Sequence, residues 1–479
     1  MPSLLILIPL FGVIILNLAF AGSRKAKRWA FVFAFALFAL QIAVAIFHHP
    51  ALSGNALERI DAFFKISFLV DHLSFLMFLC IGIVSLASLV VAKYTMADEN
   101  DSFKFINLLI LASLGMSAIV MVKDIFSLYV FMEVTAISSF LLIAFPRSLE
   151  SLEGSFKYLI LSAVATVLML TSIGLMLMVA GTTSFSGLSI ALEASRSSEL
   201  VALGVGLFIC GLFIKGGLVP FHGWLPDAYM AAPAPASVLL AGVVTKAAGI
   251  YTMIRIVTSV LGSYRSLNSV LLLIGTISIF VGAIVAIDQK NFKRMLAYSS
   301  ISQMGYIIVG LGAGNALGLI GAAFHLFNHA IFKSLLFVNS AAVEKETGTC
   351  DMTKMGGISQ KMPVTGTTSV IALLSTCGIP PLAGFWSKLM IVMALWQADY
   401  YAYATLAILG SIITLTYFLS MQRRVFFGKL ASGMENLREA GGGMVTVSII
   451  LAAITVGAGI FFPFVFTNII SPIKELLVR

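Results

Sequence analysis

The chain has 479 residues, of which 59% are hydrophobic and 11% charged, and its mean hydropathy is +1.03. An ordinary soluble domain carries about 25% charged residues, so this composition excludes a water-soluble enzyme. The net charge of +9 does not indicate a nucleic-acid partner, because the basic residues lie in short loops between apolar runs, where they encode membrane topology.

Apolar runs recur along the whole chain at about the 20 residues that a helix needs to cross a bilayer. They predict an all-α polytopic membrane protein. Both faces of a run such as 159–180 are apolar, which excludes the alternating strands of an outer-membrane barrel. We predict about fourteen spans, at 3–21, 29–47, 68–92, 105–122, 125–145, 156–181, 200–226, 234–259, 268–287, 295–313, 316–343, 364–396, 402–422 and 444–470.

The first apolar run has its basic residues on the side that favours a membrane span. A signal peptide carries them before the apolar segment, whereas Arg24, Lys25, Lys27 and Arg28 follow it here. We therefore predict a spanning helix rather than a cleaved signal. Lys and Arg are enriched in the loops that are cytoplasmic when the N-terminus is outside, so we predict that both termini lie outside.

Two predicted spans contain helix breakers near their middle. The seventh has Gly217 and Pro220, and the twelfth has Gly378 and Pro381. Such breaks are either ordinary proline kinks or, as a pair in corresponding positions, the mark of a transport site. Each is the fourth helix of a five-helix unit, and an odd number of spans makes the two units inverted. We predict N-terminal helices in 1–104, a first repeat in 105–259, a second repeat in 260–430 and a last helix in 431–479.

Five ionisable side chains are predicted deep inside spans. They are Glu133, Lys215, Lys246, Lys333 and Lys388. A charge at mid-bilayer costs at least about 2.5–3.5 kcal/mol, so such a residue usually faces a bundle interior or a water-filled path and has a partner. Each of the five is therefore a functional candidate.

The cysteines give no sign of a redox or metal centre. Cys80, Cys210, Cys350 and Cys377 show neither CxxC nor Cys/His spacing. We predict no cofactor and no metal in this chain.

At FIKGGLVPFHGWLPDAY (213–229) and the following Lys246, the sequence resembles a known family. These are the antiporter-like subunits shared by respiratory complex I, multi-subunit cation/proton antiporters of the Mrp type and membrane-bound energy-converting hydrogenases. Further matching segments follow in order: FLVDHLSF (68–75), FME (131–133), DQKNFKR (288–294), AYSSISQMGY (297–306), HLFNHAIFK (325–333) and GIPPLAGFWSK (378–388).

The resemblance implies a proton path along the bilayer midplane. In it, Glu133 pairs with Lys215, Lys246 is the central relay, His325, His329 and Lys333 continue the path along one helix face, and Lys388 ends it. Burial favours a neutral lysine and a nearby carboxylate favours a charged one, so moving Glu133 relative to its lysine would load or unload a proton. The two histidines are spaced i, i+4 and titrate near 6.5 when unperturbed, which suits a relay.

Structural alternatives remain open for these residues. Glu133 and Lys215 could form a static ion pair between two helices. Lys333 and Lys388 lie nearer helix ends, from which a lysine can reach the membrane interface. The two histidines could be ordinary buried side chains.

The polar residues that follow the broken seventh helix have two possible roles. His222, Trp224 and Asp227 are either path groups or an anchor at the membrane interface. Tyr229 stands where the family often has histidine, which departs from the resemblance. Lys388 stands where one class of complex I subunit has glutamate, which disfavours that class. The stretch 227–236 resembles the antiporter and hydrogenase branches more than quinone-reducing complex I. The short C-terminal segment predicts a medium-sized subunit without a lateral helix.

The leading hypothesis is a subunit of a prokaryotic cytoplasmic membrane complex that moves protons, or exchanges H⁺ for Na⁺. Its expected partners are other antiporter-like and small membrane subunits, the lipid bilayer and hydrophilic redox subunits that hold Fe–S clusters, with Ni–Fe or flavin groups. If those redox subunits are present, the whole assembly is an oxidoreductase; if not, it is an antiporter. The rival hypotheses are a self-sufficient solute transporter with a midplane site and a scaffold subunit that conducts nothing.

Overall fold

The computed structural model describes residues 4–20, 25–47, 57–60, 67–195, 198–262 and 265–477. Helices dominate this part of the chain. In order they are α1 Leu4–Phe20, α2 Ala26–Phe47, α3 His72–Thr95, α4 Glu99–Met121, α5 Ile125–Ile143, α6 Leu149–Ala180, α7 Phe185–Ala194, α8 Glu199–Gly216, α9 Trp224–Ala231, α10 Ala234–Leu261, α11 Arg265–Ile287, α12 Phe292–Gly312, α13 Ala316–Thr347, α14 Pro363–Cys377, α15 Ala383–Gln397, α16 Tyr401–Val425 and α17 Gly442–Ile460. Two short antiparallel strands, β1 Leu57–Ile60 and β2 Ser67–Val70, precede α3.

The predicted membrane architecture is confirmed. Among the described residues, eleven helical segments are long and apolar enough to cross a membrane. The other three predicted spans correspond to the shorter α1, to α12 with its polar face, and to the broken pair α14 and α15. Arg24, one of the basic residues that follow the first apolar run, lies outside the described residues.

Some predicted span boundaries differ from the helix ends, and the sixth span begins at Leu149 instead of 156. The third span was expected from residue 68, but Phe68 belongs to β2, and Asp71 caps the helix by accepting from the Ser74 N–H at 2.9 Å. The apolar run there continues past the helix start, and only the capping residue marks the true boundary. The last span was expected to reach 470, and it does so with an interruption: α17 ends at Ile460, before Pro463, and helical backbone resumes over Phe462–Val465 and Phe466–Ile470.

Two helices form the interior of the bundle. The apolar windows of α10 and α13 are entirely buried, whereas those of α2, α6 and α17 are mostly exposed. The central helix α13 packs against α3, α10, α12, α14, α15 and α17. Polar side chains on α10 and α13 therefore face protein on every side.

Both five-helix units are closed by the same backbone connection. In each, the residues flanking the start of the second helix bond to the loop that follows the third helix. The bonds are Ile125 N to Thr183 O at 2.9 Å and Phe185 N to Lys123 O at 3.0 Å in the first unit, and Phe292 N to Cys350 O at 2.9 Å and Met352 N to Lys290 O at 2.8 Å in the second. The third helices, α6 and α13, each have 32 residues. These matches support the predicted internal repeat, whose exact boundaries stay a prediction.

The two helix breaks also share one backbone pattern. Gly217 and Gly378 have φ angles of 64° and 83°, a left-handed conformation that suits glycine. The next amide in each break reaches back to a carbonyl five residues earlier, from Leu218 to Phe213 and from Ile379 to Leu374, both at 3.0 Å. This is the Schellman arrangement that ends a helix while satisfying its last carbonyls. Each break is therefore a formed helix end followed by a new helix, so neither is a simple kink.

Candidate functional site: a line of buried basic side chains

An ion pair joins α5 to the last turn of α8. The Lys215 amine donates to Glu133 Oε1 at 2.9 Å and to Ser162 Oγ at 2.7 Å. Thr166, one turn further along α6, donates to the same carboxylate oxygen at 2.7 Å. The Lys215 side chain is 1% exposed, whereas that of Glu133 is 28% exposed. The lysine is thus held inside the bundle, and the carboxylate is the partner that a neighbouring subunit could reach.

Lys246 is fully buried in the middle of α10, where the helix is wider than an α-helix. The segments Leu240–Val244 and Lys246–Tyr251 are π-helical, a form that often occurs at functional sites. The Lys246 amine donates to the Ala241 carbonyl and, at 3.3 Å, to Thr245 Oγ1. No carboxylate among the described residues lies within 4.0 Å of it. Its polar contacts are therefore uncharged oxygens.

Tyr229 extends the surroundings of Lys246 to α9. Its buried hydroxyl donates to the Leu240 carbonyl at 2.8 Å and lies 2.9 Å from Thr245 Oγ1, which in turn contacts the lysine amine. The sequence marked Tyr229 only as a departure from the family. Its role next to Lys246 was missed, because the contact joins two helices across a break and leaves no local pattern.

His325, His329 and Lys333 line one buried face of α13, as their spacing predicts. The two imidazole rings stack in parallel with centroids 6.4 Å apart. Nδ1 of His325 shares a hydrogen bond with Ser387 Oγ at 2.9 Å, while its Nε2 and both nitrogens of His329 have no protein partner among the described residues. Buried ring nitrogens normally have a hydrogen-bond partner, so we expect ordered water to bond to these nitrogens.

The two lysines expected near helix ends are both inside the bundle. The Lys333 amine donates to Ser299 Oγ at 2.7 Å and to the Leu296 carbonyl at 3.2 Å. The Lys388 amine lies 4.2 Å from the ring centre of Tyr306 and 3.3 Å from Ser411 Oγ. Because both side chains are at most 5% exposed, the alternative that they reach the membrane interface is wrong.

Close helix contacts join these groups into one line. The added Cβ of an alanine at Gly242 would collide with Ser334 Oγ, so α10 and α13 touch one residue from Lys333. The Tyr306 ring lies between Lys388 and the His325 ring, whose centroid is 5.9 Å away. The line runs from the Glu133 carboxylate on α5, through α8, α10 and α13, to α15. Apart from that carboxylate, its ionisable groups are amines and imidazoles.

A second buried ion pair was missed by the sequence analysis. Arg255 on α10 binds Asp71 with both terminal nitrogens, at 2.6 and 2.8 Å, and also contacts Ser74 Oγ and the Tyr251 hydroxyl at 2.9 Å. The prediction of only four buried basic residues is therefore wrong. Arg255 lies inside the predicted eighth span, but it was not named among the ionisable residues of the spans. The pair fastens α10 to the start of α3.

The polar residues after the α8 break are structural. Trp224 is 2% exposed and its indole N–H donates to the Ile214 carbonyl at 3.1 Å, so it is not an interfacial anchor. Asp227 pairs with Lys157 on α6 at 2.6 Å and with Arg294 on α12 at 3.2 Å. These contacts tie the two repeats together. His222 is half-buried beside them, and its Nδ1 has no hydrogen-bond partner among the described residues.

The described residues hold no group of three or more His, Cys, Asp or Glu side chains that could bind a metal ion. The four cysteines lie apart and form no disulfide. The chemistry that this line of side chains offers is the binding and release of protons by amines and imidazoles.

Comparison with known proteins identifies the class. Residues 122–414 match the family described as "NADH:quinone oxidoreductase/Mrp antiporter, TM". The chain belongs to this family, and it is an antiporter-like subunit of the complex I or Mrp type, as the sequence motifs predict. The matched region contains every residue of the line described above.

Relatives in three kinds of complex resemble the chain. NADH-quinone oxidoreductase subunit N of Desulforudis audaxviator is 33% identical over 426 residues, covering 87% of this chain and 85% of that protein. One of the Na⁺/H⁺ antiporter subunits of Alkalihalophilus pseudofirmus is 28% identical over 424 residues, covering 88% of this chain and 86% of its own length. A chain of the archaeal membrane-bound sulfane sulfur reductase is 28% identical, covers 100% of this chain and 98% of its own length, and superposes with a TM-score of 0.89.

Proposed function

We propose that this chain conducts protons along the line from Glu133 through Lys215, Lys246, His329, His325 and Lys388, with Lys333 beside it, as one channel of a multi-subunit membrane complex. The observation that carries the proposal is the row of basic side chains buried at the centre of the bundle, which beyond Lys215 have no acidic partner among the described residues. Such groups are costly in a membrane interior, and a role in proton transfer explains why the fold keeps them together.

Protons are a better candidate than Na⁺ for the ion that this path carries. Cations such as Na⁺ are held by several oxygen ligands, whereas the path offers mostly nitrogen groups that repel a metal cation when protonated. Exchange of H⁺ for Na⁺ then depends on oxygen ligands elsewhere in the assembly.

Coupling is proposed to act through Glu133. Its side chain is 28% exposed while that of Lys215 is buried, so a neighbouring subunit can displace the acid without entering the bundle. Removing the acid favours release of the lysine proton, and restoring it favours uptake. The partners proposed are membrane subunits of the same family, and, in a redox assembly, hydrophilic subunits that carry Fe–S clusters with Ni–Fe or flavin groups.

The proposed location is a prokaryotic cytoplasmic membrane with both chain termini outside. The basic loops support this orientation through the positive-inside rule. Attaching a reporter that is active on one side only, at 477 and separately in the loop 426–441, tests it. Activity of the first outside and of the second inside is expected, and the reverse pattern contradicts the orientation.

Lys246→Met tests the path directly. The purified native complex is placed in liposomes with an internal pH dye, and a K⁺ diffusion potential drives proton flux. Because methionine keeps the side-chain volume without the amine, flux should fall at least about tenfold, within the range attributed to one proton-transfer group. Lys345→Met, on the exposed end of α13, is the matched control and should keep normal flux.

The same experiment separates the rival functions. A scaffold subunit would give the same flux for both variants, provided that the assembly remains intact on size-exclusion chromatography. A solute transporter would instead show a changed affinity for one organic solute.

A further inference from the structure

A basic cavity lies where three helices end at one face of the bundle. It has a volume of about 270 Å³ and is formed by the first turns of α2 and α4 and the last turn of α3. Its charged lining residues are Lys27, Arg28, Lys93 and Glu99. This cavity is separate from the proton line, which runs through α5, α8, α10, α13 and α15.

The cations of this cavity are not neutralised within the described residues. None of Lys27, Arg28 and Lys93 lies within 4.0 Å of a described carboxylate. The Lys27 amine reaches the Met96 carbonyl at 3.5 Å, and the Lys93 amine stands 5.1 Å from the ring centre of Phe31. With Glu99 counted, the lining still carries an excess of positive charge. Like charges held this close favour an anion between them.

The rest of the cavity is apolar and opens onto the lipid-facing side of α2. Phe31 and Val32 belong to its lining. Val32 is 48% exposed, and Phe35, one turn deeper, is 47% exposed. Trp29 on the same turn is also half exposed, as tryptophans at membrane interfaces usually are. A ligand with an anionic head and an apolar tail matches this arrangement, with the head at the basic end and the tail along α2.

We propose that the cavity is a binding site for the headgroup of an anionic phospholipid, with the phosphate held by Lys27, Arg28 and Lys93. Basic pockets between transmembrane helices bind such headgroups by charge, and each lysine or arginine near an anionic membrane surface contributes measurably. Glu99 disfavours one kind of ligand for this cavity. Its negative charge opposes the binding of a free polyanion such as inorganic pyrophosphate. The acyl chains then lie against the exposed apolar residues of α2.

The test measures lipid binding to the purified full chain by native mass spectrometry after delipidation. Phosphatidylglycerol and phosphatidylcholine are titrated in parallel. The variant Lys27→Gln, Arg28→Gln, Lys93→Gln should bind phosphatidylglycerol at least about tenfold more weakly, since three favourable charges are lost. The variant Lys361→Gln, Lys429→Gln, Arg438→Gln removes the same charges from exposed positions elsewhere and should bind normally.

Several results would overturn the proposal. They are an equal loss of phosphatidylglycerol binding in the cavity variant and the control variant, no loss of binding in the cavity variant, or equal affinity of the wild type for the two lipids. Displacement of the lipid by inorganic phosphate alone would assign the site to free phosphate instead. Co-purification of an acidic protein segment in place of lipid would make it a subunit contact. Lys27→Arg with Lys93→Arg keeps the charges, so it should bind normally and shows whether the cavity tolerates substitution.

Discussion

Gly249 of α10 packs directly against Gly216 at the end of α8. A methyl group on Gly249 would lie 2.5 Å from the Gly216 nitrogen and 2.9 Å from the carbonyl carbon of Lys215. The two backbones can approach this closely because neither residue has a side chain. The contact places Lys246, one turn before Gly249, next to the helix end that carries Lys215.

Gly249→Ala is therefore expected to separate the two helices. Overpacking of this kind costs about 1–3 kcal/mol, and the larger effect should be on proton flux, since the distance between the two lysines grows. Gly206→Ala on the same helix α8 is the control, because no atom lies within 4 Å of the added methyl group. Thermal unfolding and liposome flux, measured on both variants, check this expectation; equal behaviour of the two would contradict it.

The Glu133–Lys215 pair should respond unequally to removal of each partner. Glu133→Gln leaves a buried amine without its counter-charge, whereas Lys215→Met leaves a carboxylate that is 28% exposed and still accepts the hydrogen bond of the Thr166 hydroxyl. We expect both variants to lose flux and only Glu133→Gln to lower the thermal unfolding temperature strongly. Fluorescence-detected unfolding in detergent measures the difference. If Lys215→Met proves the less stable variant, the described burial of the pair is wrong.

Tyr229→Phe tests the hydroxyl contact next to Lys246. The substitution removes the group that orients Thr245 Oγ1, an acceptor of the lysine amine, and so disfavours the charged amine. The pH profile of proton flux should move to lower pH, by an amount worth about 1 kcal/mol for one lost hydrogen bond. The ionisable groups that interact with Lys246 from a neighbouring helix are Lys333 and His329 on α13, both unchanged in the variant.

Tyr251→Phe is the matched control for that experiment. Tyr251 is equally buried and lies on the same helix as Lys246, but its hydroxyl contacts Arg255 and the Val120 carbonyl. It should lower stability without moving the pH profile. A shift of the same size in both variants would mean that the hydroxyl groups act through general packing.

His329→Leu is expected to interrupt the line between Lys246 and His325. Both ring nitrogens lack partners among the described residues, so water must bridge them to neighbouring groups, and leucine removes the polar site that holds this water. Flux should fall at least about tenfold, as for loss of a proton-transfer group. Phe324→Leu, on the same helix against Phe462, should leave flux largely intact. Unchanged flux in His329→Leu would remove this residue from the path.

The Asp71–Arg255 pair is expected to serve stability. Asp71→Asn leaves the buried guanidinium unpaired, at a cost of about 3–5 kcal/mol. The double variant Asp71→Asn, Arg255→Met removes the stranded charge and should recover part of that loss. Unfolding temperatures of both variants, with Asp351→Asn as an exposed control, measure the recovery. A double variant that is less stable than Asp71→Asn would refute this interpretation.

The sequence predicted the spans and both helix breaks well, because length, apolarity and the Gly/Pro positions are local properties. It also predicted every member of the buried line, because an ionisable residue in an apolar run is conspicuous. The structure brings together residues that the resemblance had ordered, and Glu133 and Lys215 are in direct contact as expected.

What the sequence could not provide are contacts between distant segments. Arg255 was overlooked although it lies within a predicted span, and its partner lies 184 residues away. Trp224 was left as either a path group or an interfacial anchor, whereas after the break that follows α8 its indole N–H turns inwards to the Ile214 carbonyl. Tyr229 carries no local signal at all. The contacts of each of these residues depend on which segment packs against it, and the local sequence does not show this.

The burial of α13 has a consequence for how the protein is made. Among the candidate spans it is the least apolar and also entirely enclosed by other helices. A segment with two histidines, a lysine and two asparagines partitions poorly into lipid by itself. We expect α13 to leave the translocation machinery only when α3, α10 and α12 are at hand to receive it. The groups that serve conduction would then set the order in which the membrane domain is assembled during synthesis.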